Sequence, residues 1–391
     1  MGSHTGWHFL QLPGPTNIPD RVLRAMDRPT IDHRGPTFAA LAHKITSGIR
    51  EIFKTTGKVV IYPASGSGGW EAALVNTMSP GDGVLLFDHG FFSSQWRHVA
   101  TRLGLDVEYA PGDWRVAVDP GLVENLLSQD RDRRFKAVLV VHNETSTGVT
   151  NPVAAIRKAI DAAGHPALLM VDVVSSLGSI DYRHDEWGVD VAVAGSQKGL
   201  MLPPGLGLNA ISDKALAACE SAALPRSYWD WKEILEFNED GFFPYTPATN
   251  LLFGLREALK MFQEEGLDNV FARHHRLAVA ARSAVEAWGL EIFARNPAER
   301  SNSITAVLVP DGYDADDFRR VTLERYDMSL GGGLGKLKGK VFRIGHLGHV
   351  NELMLAGALC GVEMGLAVAG IPFSRGGIAA AMDCLMSASK E

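Results

Sequence analysis

The sequence predicts an α/β fold built on a mostly parallel, seven-stranded sheet with helices on both faces. Short apolar, β-branched runs of strand length recur along the chain, and helix-like segments separate most of them. This alternation is typical of parallel sheets covered on both faces. The strand-like runs are 58–64, 83–88, 105–109, 136–142, 167–173, 189–194 and 205–211, and the helix-like segments between them are 70–78, 93–103, 119–127 and 153–163.

The segments before the first run indicate how the chain enters this sheet. Residues 11–19 are rich in proline and glycine and are expected to be extended or turning. A helix is expected from Asp20, and apolar residues at helical spacing predict another over 38–53. We therefore expect an extended N-terminal arm over 1–17.

The pattern changes in the last third of the chain. Residues 219–241 look irregular and aromatic-rich, 242–250 form a proline-punctuated loop, and 251–262 are helical. From about residue 266 we expect two helices and short strands at 290–293, 304–309 and 341–344. The sequence thus predicts a large domain over 18–265 and a smaller C-terminal α+β domain over 266–391.

Composition narrows the classes of function. The 391 residues carry a net charge of −7, which argues against nucleic acid or an anionic membrane as partner. The three cysteines lie far apart without a CxxC motif, and the N-terminus lacks the pattern of a signal peptide, so a cytoplasmic protein is expected. The apolar segment 353–373 is interrupted by Glu363 and favours a buried helix over a membrane span.

Lys198 is the first candidate for chemistry. It follows the apolar run 189–194 and Gly195-Ser196-Gln197, at the carboxyl end of a predicted strand. Open α/β sheets bind their ligands at that edge, and lysine forms Schiff bases with carbonyl compounds. By itself, the same pattern also fits an ordinary surface lysine.

A glycine-rich connection and an aspartate lie at the ends of two other strands. Residues 64–71, ASGSGGWE, join a strand to a helix, a context in which backbone N–H groups bind anions. The spacing matches neither the dinucleotide fingerprint nor a Walker P-loop, so either a phosphate site or a connection without a ligand remains open. Asp172 ends the run 167–171, where a buried carboxylate needs a partner such as a protonated pyridine nitrogen, although a helix cap or a Mg²⁺ ligand is also consistent.

Further polar residues follow the same edge. Residues 142–148, HNETSTG, follow another strand. Arg343 lies inside a strand-like run, where either a carboxylate clamp or a structural ion pair accounts for it. No metal site is expected, because His346 and His349 lack a third ligand. The phosphate loop, Asp172, Lys198 and Arg343 together describe a site for pyridoxal 5′-phosphate (PLP).

With these residues in place, the chain resembles the class V PLP-dependent aminotransferases of fold type I, especially the alanine–, serine– and aspartate–glyoxylate enzymes. The resemblance covers nearly the whole chain. It rests on PGPTNIP (13–19), SGSGGWEAALVN (65–76), HNETSTGV (142–149), VDVVSSLGS (171–179), GSQKGLMLPPG (195–205), YTPATNLLFGLREAL (245–259) and GKVFRIGHLG (339–348). The SQKG lysine and the RIG arginine are its most specific signals.

The resemblance implies a role for each site residue. Lys198 holds PLP as a Schiff base and later moves a proton, and Asp172 pairs with the pyridinium nitrogen. Arg343 binds the substrate α-carboxylate. The remaining cofactor contacts implied are Ser67, Gly68, Gly69 and Gln197 with the phosphate, Thr145 with the ring hydroxyl, Phe92 stacked on the ring where animal relatives have tryptophan, and Thr246 with the phosphate of the neighbouring subunit in a homodimer.

The implied reaction is ping-pong transamination from a small L-amino acid to glyoxylate, giving glycine and a 2-oxo acid. L-Serine is the first donor expected, with L-aspartate and L-alanine as alternatives. The stretch 224–228 contains Arg226, which could face a donor carboxylate. Two other functions remain as alternatives: a cysteine-desulfurase-like lyase, for which Cys360 and Cys384 are poorly placed, and a non-catalytic phosphate- or nucleotide-binding protein.

Overall fold

A computed structural model describes residues 5–387 of the chain. Its strands are β1 (Phe9–Gln11), β2 (Lys58–Tyr62), β3 (Gly83–Phe87), β4 (Asp106–Ala110), β5 (Phe135–Val141), β6 (Asn143–Glu144), β7 (Val149–Thr150), β8 (Leu168–Asp172), β9 (Val191–Gly195), β10 (Gly207–Ile211), β11 (Glu291–Ile292), β12 (Ile304–Leu308), β13 (Met328–Gly332) and β14 (Val341–Gly345).

Helices cover the connections between these strands. They are α1 (Asp20–Met26), α2 (Pro36–Phe53), α3 (Gly66–Thr77), α4 (Phe91–Arg102), α5 (Pro120–Gln129), α6 (Val153–Ala162), α7 (Asp213–Cys219), α8 (Trp231–Glu239), α9 (Thr249–Glu265), α10 (Leu267–Ala287), α11 (Ala315–Tyr326), α12 (Glu352–Ala369) and α13 (Gly377–Ser387), with short 3₁₀ turns at Pro297–Glu299 and Gly335–Leu337.

The larger sheet has seven strands in the order β2-β10-β9-β8-β5-β3-β4. The pairs β3–β4, β3–β5, β5–β8 and β8–β9 are parallel, whereas β10 runs antiparallel to both β2 and β9. The two faces of the sheet are covered by separate apolar clusters. The seven predicted strands and the mostly parallel α/β fold are therefore confirmed.

This topology determines where the polar residues meet. Because β10 is antiparallel to both of its neighbours, β2 runs in the same direction as β9, β8 and β5. The carboxyl ends of these four strands consequently share one edge of the sheet. Asp172 ends β8 and pairs in register with Val141 at the end of β5 and with Val193 of β9.

The second sheet combines both ends of the chain. Its order is β1-β13-β14-β12-β11, and β1 pairs parallel to β13. Residues Phe9–Gln11 of the N-terminal arm are therefore extended and complete the sheet formed by C-terminal strands. The bounds of the arm remain a prediction. The domain boundary near residue 265 remains a prediction, although Gly266 does separate α9 from α10.

Two expectations for the later part of the chain were incomplete. Four helices, rather than two, follow residue 266 in the described part of the chain, and β13 was missed because its sequence MSLGG leads into a third glycine and looks like a loop. The stretch 219–241 was predicted to be irregular, yet it contains α8. A signal for α8 was present: Asp230 accepts a hydrogen bond from the backbone N–H of Lys232, and Trp231 and Ile234 bury one face.

The apolar helix near the C-terminus, α12, is the one helix among residues 5–387 that is long and apolar enough to cross a membrane. These two properties are also common in core helices of soluble proteins. Leu355, Leu359, Val362 and Leu366 of α12 lie in the apolar cluster beside the second sheet. One face of α12 is therefore buried, as the sequence predicted, whereas the same helix exposes Leu353, Met364 and Val368.

Candidate functional site

A cavity of about 290 Å³ opens at the edge where β2, β5, β8 and β9 end. A larger depression of about 580 Å³ elsewhere on the surface contains none of the predicted site residues. The cavity is lined by Gly14, Pro15, Ser65, Gly66, Ser67, Trp70, Phe92, Val141, Asn143, Thr145, Asp172, Val174, Gln197, Lys198 and Pro204.

Lys198 is buried, with only 8 % of its surface exposed. Its Nζ donates a hydrogen bond to the carbonyl oxygen of Pro13 at 2.5 Å. Burial and, to a smaller extent, the nearby Arg343 lower the pKa of the amine to about 8, and Asp172 opposes the shift. The interpretation of Lys198 as an ordinary surface lysine is therefore wrong. Because its pKa is lowered, part of the amine is neutral, and therefore reactive, near neutral pH.

Asp172 is buried at the end of β8 with both carboxylate oxygens bonded. Oδ1 accepts a hydrogen bond from the backbone N–H of Val174 at 2.7 Å, and Oδ2 accepts one from the indole Nε1–H of Trp70 at 2.8 Å. Burial raises the pKa of Asp172 to about 7, although these two donors and Lys198 lower it. The carboxylate thus faces the cavity without a cation bonded to it among the described residues.

The start of α3 forms an anion-binding cradle, which we define as residues 65–68. A helix leaves the N–H groups of its first turn without intrahelical partners, and α3 begins at Gly66 after Ser65. The predicted contact at Gly69 differs, because its N–H donates to the carbonyl of Ser65 at 3.1 Å. Gly66 was missed, and the free N–H groups of this turn belong to Gly66, Ser67 and Gly68.

Glycine is required at two positions near the start of α3, Gly66 in the cradle and Gly69 just after it, for close packing. A Cβ on Gly66 would lie 2.5 Å from Cγ2 of Val174, and a Cβ on Gly69 would lie 2.8 Å from Cγ1 of Val193. Gly69 therefore brings the helix close to the sheet. Beside the cradle, Oε1 of Gln197 is buried and has no hydrogen-bond partner among the described residues. An acceptor oxygen does not bind a phosphate, but a rotation of the amide by about 180° would place its NH2 donor at this buried position. With that rotation, Gln197 and the free N–H groups of the cradle fit a phosphate group.

Phe92 and Thr145 line the cavity on its other side. Phe92 lies in the first turn of α4. The Thr145 hydroxyl donates to Oγ of Ser175 at 2.7 Å, and Nδ2 of Asn143 donates to the same oxygen at 2.8 Å. Ser175 in turn donates to the Asn143 carbonyl at 2.9 Å. Asn143 and Ser175 were not singled out from the sequence, and they fix the Thr145 side chain at the cavity wall.

Glu144 lies outside the cavity lining and bonds both to the start of α4 and to the segment that carries Thr145. Its carboxylate accepts hydrogen bonds from the backbone N–H of Ser93 at 3.2 Å and from the hydroxyl of Ser146 at 2.6 Å. Burial raises its pKa, and the surrounding donors oppose that shift. Glu144 thereby ties the start of α4, which carries Phe92, to the segment that carries Thr145. The buried HNETSTG pattern suggested a polar edge but not this anchor.

Arg343 extends from β14 of the second sheet and is only 7 % exposed. Its Nε donates to the carbonyl of Gly332 at 2.8 Å and its Nη1 to the carbonyl of Thr145 at 2.7 Å. Within residues 5–387 no carboxylate lies within ion-pair distance of the Arg343 guanidinium. The structural ion pair that the sequence left open for Arg343 is therefore absent there. Burial lowers the pKa of Arg343 to about 10, opposed by the charge of Glu144. A buried guanidinium without a carboxylate partner fits a substrate carboxylate.

Four predicted site residues are not among those that line the cavity, namely Gly68, Gly69, Thr246 and Arg343. Of these, Thr246 is the exposed one on its own subunit's surface. The preceding Tyr245 stacks on Tyr228 at 4.5 Å between ring centroids. A contact of Thr246 with the cofactor therefore requires a second copy of the chain.

Arg226 and His346 are both committed to structural hydrogen bonds. The guanidinium of Arg226 donates to the carbonyls of Val75, Ala222 and Cys219 and does not line the cavity, which disfavours its expected role beside a donor carboxylate in its own subunit. Both ring nitrogens of His346 are hydrogen-bonded. Residues 5–387 contain no group of three or more potential metal ligands.

Known proteins share this fold and sequence. The model of the aminotransferase class-V family matches residues 8–334. A serine–glyoxylate aminotransferase of Methylorubrum extorquens is 50 % identical over 387 residues, covering 97 % of this chain and 96 % of that protein. An L-aspartate–glyoxylate aminotransferase of Paracoccus denitrificans is 47 % identical over 374 residues, covering 95 % and 94 %. The crystal structure of a Bacillus subtilis ureidoglycine–glyoxylate aminotransferase superposes with a TM-score of 0.89 at 27 % identity and covers 99 % of this chain and 100 % of that chain.

Proposed function

The chain belongs to the class V aminotransferases and is an enzyme of that class, and we propose that it transfers the amino group of a small L-amino acid, L-serine first, to glyoxylate. The products are hydroxypyruvate and glycine. One observation carries this proposal: the buried amine of Lys198 and the buried carboxylate of Asp172 face the same cavity as the free N–H groups of the cradle.

Pyridoxal 5′-phosphate is the cofactor that this donor set fits. The cradle and Gln197 would hold its phosphate, Asp172 would face the ring nitrogen, and Phe92 and Thr145 would contact the ring. When bound, PLP supplies an electron sink that makes the Cα–H bond of the amino acid acidic. The fit rests on the free N–H groups in the first turn of α3 and on the amide of Gln197, whose NH2 group can donate once the unpartnered Oε1 is turned away from the phosphate.

Lys198 has the position and the charge for proton transfer. A neutral lysine amine accepts a proton, and burial already lowers the pKa of this amine to about 8. Lys198 would therefore take the proton from Cα of the amino donor and deliver a proton to C4′ of the cofactor within the same half-reaction. In the half-reaction with glyoxylate it would move a proton in the opposite direction, from C4′ to Cα. Water is restricted there because the side chain is buried.

Asp172 and Arg343 supply the two charges that orient the reacting groups. The carboxylate of Asp172 would pair with a protonated ring nitrogen and so hold the proton there, and Trp70 and Val174 fix its two oxygens. Arg343 is held by two backbone carbonyls, which leave Nη2 to donate to the α-carboxylate of the substrate.

The choice of a donor with a neutral side chain follows from the cations around the cavity. Lys198 is the only cation among the residues that line it, and Arg343, whose Nη1 donates to the carbonyl of the lining residue Thr145, is assigned to the α-carboxylate. No second cation is then left for a side-chain carboxylate. L-Aspartate would bring a second carboxylate, and Arg226 is occupied by backbone carbonyls. None of the three cysteines lines the cavity, which supports a transaminase over a desulfurase-like lyase.

We also propose a cytoplasmic homodimer. Thr246 lies at the surface, where only a neighbouring subunit could use it in a cofactor site. The three cysteines are unpaired, which supports a reducing compartment. Loss of PLP affinity in Thr246→Val, at unchanged folding, would support the shared site.

Steady-state assays with purified enzyme, PLP and glyoxylate test the donor. We expect glycine formation with L-serine at a higher kcat/KM than with L-aspartate or L-alanine. Lys198→Ala should abolish turnover, while the control Lys44→Ala, at an exposed position of α2, should retain it. A higher kcat/KM with L-aspartate would reassign the donor, and no turnover with any of the three would overturn the proposal.

A further inference from the structure

We propose that residues 12–16, which we call the strap, hold the amine of Lys198 whenever it is not covalently bound, and that Gly14 is the positioning residue that leaves room for it. The inference rests on the proposed function for its kinetic consequence. The contact itself lies between the strap and a lysine side chain of the same subunit.

The strap and the lysine side chain are in direct contact. Nζ of Lys198 donates to the Pro13 carbonyl at 2.5 Å. A Cβ on Gly14 would lie 2.3 Å from Cδ, 2.6 Å from Cε and 2.7 Å from Nζ of Lys198. The space next to Gly14 is thus filled by the lysine, and any larger residue would displace the amine from the carbonyl.

The strap is fixed on the side of the large sheet. The backbone N–H of Thr16 donates to the carbonyl of Gln197 at 3.2 Å, and its hydroxyl donates to the carbonyl of Lys198 at 3.2 Å. Both bonds join the strap to the backbone that carries the lysine. These bonds therefore hold the Pro13 carbonyl at a fixed distance from the backbone of Lys198.

The strap is equally fixed on the side of the second sheet. The side chain of Gln11 donates to the carbonyl of Gly345, and β1 pairs with β13 immediately before the strap. A Cβ on Gly331 would lie 2.7 Å from Cδ of Pro13 and 3.0 Å from Cβ of Arg343. Pro13 is thereby packed next to the strands that carry the carboxylate-binding arginine.

This arrangement gives the carbonyl a function in proton transfer. A neutral amine that donates one N–H to the Pro13 carbonyl keeps its lone pair free. That lone pair can take the proton of the Cα–H bond, while the electron pair of that bond stays with the substrate. A misplaced catalytic group can slow a reaction by about a hundredfold. The hydrogen bond to Pro13 avoids this loss by holding the amine in one position.

Gly14→Ala tests the inference, and Gly376→Ala is the matched control. Gly14 has φ +110° and Gly376 has φ +119°, so alanine is strained to a similar extent at both. Gly376 has no atom within 4 Å of an added Cβ, so its variant reports backbone strain alone. Lys198 is flexible at its far end, so the added methyl should move the amine while the fold persists.

The first measurement uses apo-enzyme and is independent of turnover. Labelling of Lys198 by acetic anhydride, followed by peptide mass spectrometry, reports how freely the amine reacts. Release from the carbonyl should make labelling about three- to tenfold faster in Gly14→Ala, the factor expected from one lost hydrogen bond. Equal labelling rates in Gly14→Ala, Gly376→Ala and the wild type would overturn the inference. If Gly14→Ala fails to fold, Thr16→Val replaces it with the same expectation.

The second measurement is a double-mutant cycle in the loaded enzyme. Gly14→Ala should slow the single-turnover half-reaction with L-serine by about tenfold or more at an L-serine affinity unchanged within about twofold. In a Lys198→Ala background rescued by methylamine, the same substitution should have no effect. An equal loss in that background would show that the strap acts on the substrate and would overturn the inference. Absence of turnover in the wild type would instead refute the proposed function, and the labelling result would still stand.

Discussion

The indole Nε1–H of Trp70 donates a hydrogen bond to Oδ2 of Asp172 at 2.8 Å, so the carboxylate at the end of β8 is oriented by a residue in α3. The same helix begins with the anion-binding cradle. Phosphate binding and the orientation of Asp172 are therefore built on one element, and a change in the position of α3 would affect both.

Trp70→Phe should lower kcat by about tenfold or more, because a hydrogen bond to a charged group contributes about 1.5–3 kcal/mol. Steady-state kinetics with L-serine and glyoxylate measure this loss. Trp96→Phe is the control: Trp96 stacks on Trp70 at 5.9 Å between centroids, but its buried Nε1 has no partner among the described residues. Equal losses of kcat in both variants would contradict a role for the hydrogen bond.

The raised pKa of Asp172 predicts how the stability of the apo-protein depends on pH. The pKa lies near 7 in the folded chain against 3.8 for an ordinary aspartate, so the folded state binds more protons than the unfolded state between these values. This contribution to stability is therefore lost as the pH rises from about 4 to about 7. The stability of apo Asp172→Asn relative to wild type should increase over that range, by at most about 1.4 kcal/mol per pH unit. Denaturant unfolding at several pH values measures it, and a pH-independent difference would contradict the shift.

Arg343→Lys should raise the KM values for both L-serine and glyoxylate by about tenfold or more, since lysine lacks the planar fork that binds a carboxylate. Arg282→Lys is a matched control, because burial also lowers the pKa of Arg282 to about 10 and its Nη1 bonds a backbone carbonyl. Arg343 differs in that it bonds Thr145, which lines the cavity, whereas Arg282 bonds Ser301, which does not. A similar rise in KM in both variants would indicate a general loss of packing.

Arg226→Met should lower the melting temperature without changing the ratio of kcat/KM for L-serine and L-aspartate. The guanidinium caps carbonyls of α3 and of the segment after α7 and lies 3.5 Å from Asp230, all within its own subunit. Thermal unfolding and paired kinetic assays measure the two effects. A selective loss of activity toward L-aspartate would restore the role that the sequence suggested for Arg226.

Strand ends were the most predictable part of the site. Asp172 and Lys198 each follow a run of buried apolar residues, and parallel strands place such ends together. The family resemblance added Phe92, Thr145 and Gln197, and all three line the cavity with them. Their chemical roles remain predictions that the variants above would test.

Contacts between distant segments were not predictable. The bond from Trp70 to Asp172 spans 102 residues, and that from Lys198 to Pro13 spans 185. No local pattern encodes such pairs, because they depend on how α3 and the strap pack on the sheet. At Gly69 the local pattern was misleading. The glycine-rich run suggested that its N–H binds an anion, but this N–H donates a helical hydrogen bond to the carbonyl of Ser65.

The covalent state of Lys198 is the most direct test of the account. The purified enzyme should be mixed with PLP, treated with borohydride, digested and analysed by mass spectrometry. We expect the reduced cofactor on the peptide that contains Lys198 and, after prior addition of L-serine without glyoxylate, a marked loss of that adduct. Modification of other lysines only, or a Lys198 adduct that L-serine, L-aspartate and L-alanine all fail to release, would contradict the proposed aminotransferase mechanism.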